Sequence, residues 1–217
     1  KHLFMYLLKC YNRIRDIYKR RDDMSKLYFR YGAMNSGKST NLMQVAYNYE
    51  ERGMRVLLIK PSTDKKGGDK LVSRLGVERK VDLLIDDPQN IYDEVNKWQS
   101  EKYNIDCILV DEVQFFKANQ IDELFKVAVC LDIPVICYGL RTDFKMEGFE
   151  GSTRLLLLAH SIEELKTICK CGKKAILNGR KINNKFVFEG QQVAIDNVDN
   201  VEYESLCGHC YFKYKNE

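Results

Sequence analysis

Gly32-Ala33-Met34-Asn35-Ser36-Gly37-Lys38-Ser39, with Thr40 directly after, has the residue types and spacing of a phosphate-binding loop. Gly32 and Gly37 lack a Cβ, so the backbone can bend and approach an anion closely. Successive N–H groups and the partial positive charge of a helix start then cradle a di- or triphosphate. Lys38 reaches the outer phosphates as a point charge, and Ser39 offers its hydroxyl to Mg²⁺. A plain glycine turn before a helix would not require Lys and Ser in this register.

A second constellation, Asp111-Glu112, ends the apolar run Cys107-Ile108-Leu109-Val110. An Asp at the carboxyl end of a buried strand is where phosphate-loop proteins hold Mg²⁺, usually through water. Glu112 beside it is a candidate general base, acting on water or on a substrate hydroxyl. A solvated strand end would also carry such a pair, and the upstream loop selects the catalytic reading. The next apolar run ends in Gly139-Leu140-Arg141-Thr142-Asp143-Phe144, a polar and aromatic edge expected at the same rim of the sheet.

Third, Cys169-Lys170-Cys171 and Cys207-Gly208-His209-Cys210 form two short pairs at metal-ligand spacing. Four thiolates satisfy a tetrahedral structural Zn²⁺ and leave no open position for catalysis. His209 is the alternative to Cys210 as fourth ligand. Gly172 and Gly208 are expected to help the chain wrap around the ion, which would hold residues 178–205 as a fixed loop.

The elements that must position these groups follow from hydrophobic periodicity. Leu27-Tyr28-Phe29-Arg30-Tyr31 reads as a strand, and Leu42, Met43, Val45, Ala46 and Tyr49 recur at helical spacing over 40–52. Gly53 ends that helix, and Arg55–Ile59 forms the next strand, stopped by Pro61. Residues 62–70 read as a mobile polar loop. Ile91, Val95 and Trp98 mark one helix face, and Ile121, Leu124, Phe125 and Ala128 another. Cys107–Val110 and Val135–Tyr138 read as strands buried on both faces. The alternation predicts an α/β fold, a mostly parallel sheet with helices on both sides. From Thr167 onward lysine, glycine, asparagine and cysteine replace it, which predicts a nucleotide-binding core over 24–166 and a small unit over 167–217.

Composition narrows the function classes. In 217 residues, 45% hydrophobic and 30% charged content is that of a globular chain, and no apolar run approaches the ~18 residues of a membrane span. The net charge of +4 resides in residues 1–25, so the remainder is neutral and has no electrostatic footprint for nucleic acid. Residues 1–23 pair an apolar patch with a basic stretch. They read as an extension or leader before Met24, with a membrane-binding amphipathic helix as the other reading. Of the eight cysteines, Cys107, Cys130 and Cys137 read as small buried hydrophobes, which fits a reducing, cytoplasmic compartment.

Together these motifs resemble the zinc-containing thymidine kinases, most closely the bacterial branch, over about residues 26–214. The likeness is carried by Tyr31–Thr40, Tyr49–Arg55, Val110–Phe116, Asp132–Phe144 and Leu165–Gly172, in one order. It implies a P-loop, RecA-like core and a small zinc domain whose lasso loop closes over the nucleoside. It implies transfer of the γ-phosphoryl of ATP to the 5′-hydroxyl of thymidine, with feedback by dTTP and a homotetramer. By the same likeness Glu112 takes the 5′-hydroxyl proton, and Phe115 and Phe144 pack by the nucleoside. Met34, Leu140 and Tyr203 line the thymine methyl pocket, and backbone around Val193 and Ile195 reads the base edge.

Two departures stand out. Asp64-Lys65-Lys66 occupies the place of the family's Asp-x-Arg, so Lys66 stands in without bidentate reach. Ile195–Tyr203 lacks the family's paired glycines and is two residues longer. The competing function is a P-loop ATPase with a zinc-containing nucleic-acid module, which the neutral body and the absence of basic-aromatic clustering disfavour.

Overall fold

The computed structural model describes residues 24–63, 68–72, 76–101, 104–192 and 200–216. Six strands form one sheet: β1 (Leu27–Tyr31), β2 (Val56–Pro61), β5 (Leu83–Ile85), β6 (Cys107–Val110), β7 (Val135–Gly139) and β8 (Ser161–Glu164). Their order is β5-β2-β6-β7-β1-β8, and every neighbouring pair is parallel. A short antiparallel pair, β3 (Lys70–Val72) and β4 (Glu78–Lys80), lies outside it.

Period-two alternation sends successive residues of each strand to opposite faces. Phe29, Leu57, Ile59, Ile108, Val110, Val135 and Cys137 fill one core. Against them pack α2 (Ile91–Glu101), α3 (Ala118–Cys130) and α4 (Glu150–Leu158). Leu58, Leu109, Ile136 and Tyr138 face the other way, onto Leu42 and Ala46 of α1 (Lys38–Glu50). Double-sided coverage is why the central strands read as continuous apolar runs. Burial pushes the Cys107 thiol up to about 12 and also raises Cys137, so both behave as inert hydrophobes. Cys130 does not join them: as the last residue of α3 it is exposed.

Beyond the sheet, β9 (Thr167–Ile168) and β10 (Lys174–Ala175) make a hairpin around Gly172, whose φ is +82°. β11 (Leu177–Ile182), β12 (Lys185–Val187) and β13 (Val201–Leu206) form an antiparallel sheet closed by α5 (Gly208–Lys215). Residues 178–205 are therefore not one fixed loop. Their two arms pair residue for residue from Leu177↔Leu206 to Ile182↔Val201, because backbone groups leaving a small core need ladder partners. Pro61 likewise ends β2 from within rather than stopping it earlier. Residues 1–23, 64–67 and 193–199 are among those outside the described residues, and with them the N-terminal extension, the middle of the 62–70 loop, Lys66, Val193 and Ile195.

α4 seats directly on the short 3₁₀ turn Val113–Phe115 that follows β6. A Cβ on Gly151 would stand 2.5 Å from the Val113 carbonyl oxygen and 2.7 Å from that of Phe116. In an open helix Gly→Ala gains about 1 kcal/mol. Here the obstacles are backbone atoms, so overpacking of about 1–3 kcal/mol wins. Gly151→Ala is expected to lower Tm, measured by thermal denaturation; an unchanged or raised Tm would contradict this packing.

Candidate active site

Parallel pairing brings the carboxyl ends of β1, β6 and β7 to one rim. Gly32, just past β1, donates its N–H to the Gly139 carbonyl at the end of β7 (3.3 Å). The loop at 32–37 is tight: a Cβ on Gly32 would lie 2.3 Å from Ser36 Oγ and 2.6 Å from the Leu165 carbonyl oxygen. Asn35 and Gly37 take left-handed φ of 64° and 77°, turning the chain straight into α1. No side chain caps the start of α1, so its first N–H groups face the loop concavity where an anion is favoured. Lys38 is 8% exposed and folds back over the loop, donating to the carbonyls of Ala33 (3.0 Å) and Gly32 (3.4 Å). Ser39 and Thr40 follow in the first turn, half-buried.

Asp111 continues the ladder past β6, its N–H donating to the Ile59 carbonyl (3.0 Å), and it is 5% exposed. Since Val110 packs on the α3 side, alternation places Asp111 on the face carrying α1, Lys38 and Ser39. Lys60, 1% exposed at the end of β2, falls on that same face and donates to the Gly68 carbonyl (3.4 Å). Glu112 turns away with φ 49°, a left-handed conformation that costs a non-glycine residue on the order of 1 kcal/mol. Its carboxylate accepts from the Gln114 side-chain amide.

The loop after β7 supplies the opposite wall. Leu140 is buried, and Phe144 lies beneath the Arg180 guanidinium, whose carbon sits 3.7 Å from the ring centroid. Phe115 packs edge-on against Phe149 (5.8 Å between centroids). Tyr203 on β13 is paired with Arg180 on β11, which places it beside the same wall. Met34 projects from the phosphate loop, half-buried.

Asn178 of β11 joins the two walls. Its Oδ1 accepts from the Met34 N–H (2.7 Å) and its Nδ2 donates to the Thr142 carbonyl (2.9 Å). Tyr211 of α5 donates to the Phe144 carbonyl (2.7 Å), and Thr167 donates to that of Asn35 (3.3 Å). Arg180 donates to the carbonyls of Gln191 (3.0 Å) and Glu189, fixing the chain that leads toward residues 193–199. Periodicity gave no signal for Asn178 or Arg180, since both lie where the helix and strand patterns fade. Lys60 was readable only as a charge inside an otherwise apolar strand.

The Sγ atoms of Cys169, Cys171, Cys207 and Cys210 lie within 4.8 Å of one another. Zinc–sulfur bonds of about 2.3 Å at tetrahedral angles need sulfurs about 3.8 Å apart, so the four fit such an ion. Cys210 belongs to this group; His209 is exposed and outside it. The Cys210 N–H donates to the Cys207 sulfur (3.4 Å), and this holds the Cys207 thiol down at about 7, favouring the thiolate that a metal requires.

Replacing Asn178 by Ala would leave a part-buried N–H and a C=O without partners, at about 1–3 kcal/mol. The Met34 amide of Asn178→Ala should then exchange with solvent about tenfold faster or more. Hydrogen exchange measures this, and unchanged protection would show that Asn178 is not what holds the loop.

With this geometry in hand, the chain can be set beside known proteins. A family model described as "Thymidine kinase" matches residues 25–211. A thymidine kinase of Francisella tularensis is 42% identical over 189 residues, spanning 85% of this chain and 95% of that protein. One from Lactococcus lactis is 43% identical, covering 88% and 98%, and one from Shewanella oneidensis 45% identical, covering 85% and 95%. The rim, the phosphate loop and the cysteine-bearing C-terminal unit are those of a chain that belongs to the thymidine kinase family.

Proposed function

We propose that this protein transfers the γ-phosphoryl group of ATP to the 5′-hydroxyl of thymidine, yielding dTMP for deoxynucleotide salvage. The observation that carries the reading is the shared rim: the phosphate loop, Asp111 and Glu112 converge there, under strands tied to both walls by Asn178. Family membership supplies the substrate pair.

In this reading the N–H groups from Gly32 to Thr40 and the Lys38 ammonium hold the triphosphate. Lys38 leaves its loop carbonyls for the outer phosphates, exchanging weak neutral acceptors for charged ones. Asp111 and Ser39 would hold the Mg²⁺ that accompanies ATP, which when bound neutralises charge on the phosphate oxygens. Glu112 accepts the proton of the 5′-hydroxyl as that oxygen attacks. Met34, Phe115, Leu140, Phe144 and Tyr203 surround the nucleoside, with backbone near Val193 and Ile195 reading the base edge. A neutral pyrimidine needs shape and backbone hydrogen bonds rather than a basic patch.

Cys169, Cys171, Cys207 and Cys210 would hold a structural Zn²⁺, which when bound cross-links the two cysteine-bearing turns. Their own small core, Ala175, Leu177, Leu206 and Tyr211, is too slight to hold residues 167–217 alone. Residues 24–166 act as the kinase core. Family likeness further supports dTTP as feedback inhibitor, a homotetramer and a cytoplasmic location; among the described residues no helix is long and apolar enough to cross a membrane.

Incubation with labelled ATP-Mg and a nucleoside panel tests the reading: thymidine should gain the label. ATP hydrolysis stimulated by nucleic acid, with no labelled nucleoside, would install the ATPase alternative instead. Glu112→Gln should lower kcat about 10²–10⁴-fold while ATP still binds; near-normal turnover would remove Glu112 as base. Chelation should loosen residues 167–216, seen as new proteolytic cuts there, because a thiolate zinc site contributes on the order of 10 kcal/mol. Resistance to proteolysis after complete metal removal would contradict the structural role.

A further inference from the structure

Gln114 is 3% exposed although it belongs to a short turn at the rim of the cleft. Both ends of its carboxamide are committed. Oε1 accepts from the Leu140 N–H (3.1 Å), and Nε2 donates to Glu112 Oε2. The orientation is forced, since a backbone N–H can only donate and an ionised carboxylate can only accept. Glutamine is thus the side chain of this length that satisfies both neighbours; glutamate would offer two acceptor ends, and methionine neither.

The surrounding fold closes on this amide. A Cβ on Gly139 would lie 2.6 Å from Gln114 Oε1 and 2.9 Å from Val113 Cγ1. The Ser152 hydroxyl donates to the Leu140 carbonyl (2.5 Å), so Leu140 is held from both sides. Glu112 itself stands in a left-handed conformation that its own local preferences would not select.

We infer that Gln114 is a positioning residue that sets the direction of the Glu112 carboxylate and ties it to the Leu140 wall of the cleft. This rests on Glu112 serving as the base in the reading above. With its side chain buried and both ends of its amide engaged, Gln114 would act through Glu112 rather than on the substrates directly. A carboxylate misplaced by about 1 Å at a reacting hydroxyl can cost roughly a hundredfold in rate. Binding of ATP, which depends on the loop after β1, should be spared.

The test is a mutant cycle using Gln114→Met, which nearly conserves volume, and Gln114→Glu, which keeps the acceptor for Leu140 but faces Glu112 with a second carboxylate. Each is expected to lower kcat for thymidine phosphorylation about 10–100-fold with KM for ATP changed by less than about twofold. In a Glu112→Gln background the same changes should add almost nothing, because the carboxylate they misplace is gone. Losses that multiply in that background, or a raised KM for ATP in step with kcat, would mark Gln114 as merely structural and overturn the inference. If Gln114→Met fails to fold, Gln114→Glu carries the same cycle.

A second readout needs no turnover and separates this inference from the thymidine reading. The Gln114 side-chain amide protons, observed by NMR, should be protected from exchange in the wild type and lose protection in Glu112→Ala. Equal exchange in both proteins would overturn the inference even if thymidine is phosphorylated. Loss of protection would support it even if another nucleoside proves to be the acceptor.

Discussion

The molecule depends on the parallel pairing of β6, β7 and β1. Parallel strands present all their carboxyl ends at one edge, and burial on both faces leaves that edge as the place for polar groups to emerge. Three loops leave there. One becomes the glycine loop feeding α1, one carries Asp111 and Glu112, and one carries Leu140 through Phe144. Alternation then divides the labour: Asp111 falls on the α1 face with Lys60, Lys38 and Ser39, while Glu112 turns toward the Leu140 wall. An antiparallel β6 would send the acidic pair to the opposite end of the sheet.

A rim alone would leave the cleft open to water. The cysteine-bearing C-terminal unit answers this through a few directed contacts. Asn178, Thr167 and Tyr211 each bond to backbone of the rim loops, and the Arg180 guanidinium sits over the Phe144 ring. The Asn178 and Tyr211 bonds specify orientation most strongly, because they satisfy part-buried or buried backbone groups that would otherwise lack partners. The four clustered sulfurs, holding a metal, would tie the β9–β10 hairpin to α5; Thr167 projects from β9 and Tyr211 from α5, while Asn178 and Arg180 project from β11.

Much of this was legible in the sequence. The glycine loop, the buried strands at 107–110 and 135–138, the acidic pair and the four cysteines all announce themselves, because each imposes residue types at short spacing. Spacing favoured Cys210 over His209 as the fourth ligand without excluding His209; the clustering of the Cys210 sulfur with the other three decides it. β5 and β8 escaped because edge strands of three or four residues are too short for periodicity. The antiparallel pairing of β11 with β13 escaped because it joins segments some 24 residues apart in composition that reads as loop. Asn178 and Gln114 were invisible as site residues for one reason: their importance lies in what they bond to across the fold, and a lone amide carries no local pattern.

The most direct measurement of the account is a crystal structure with thymidine and a non-hydrolysable Mg-ATP analogue. The account predicts the terminal phosphate within the loop at 32–40, and the nucleoside 5′-oxygen within hydrogen-bond distance of the Glu112 carboxylate, between Met34 and Leu140. A nucleoside seated elsewhere, or a 5′-oxygen too distant for Glu112 to reach, would contradict it.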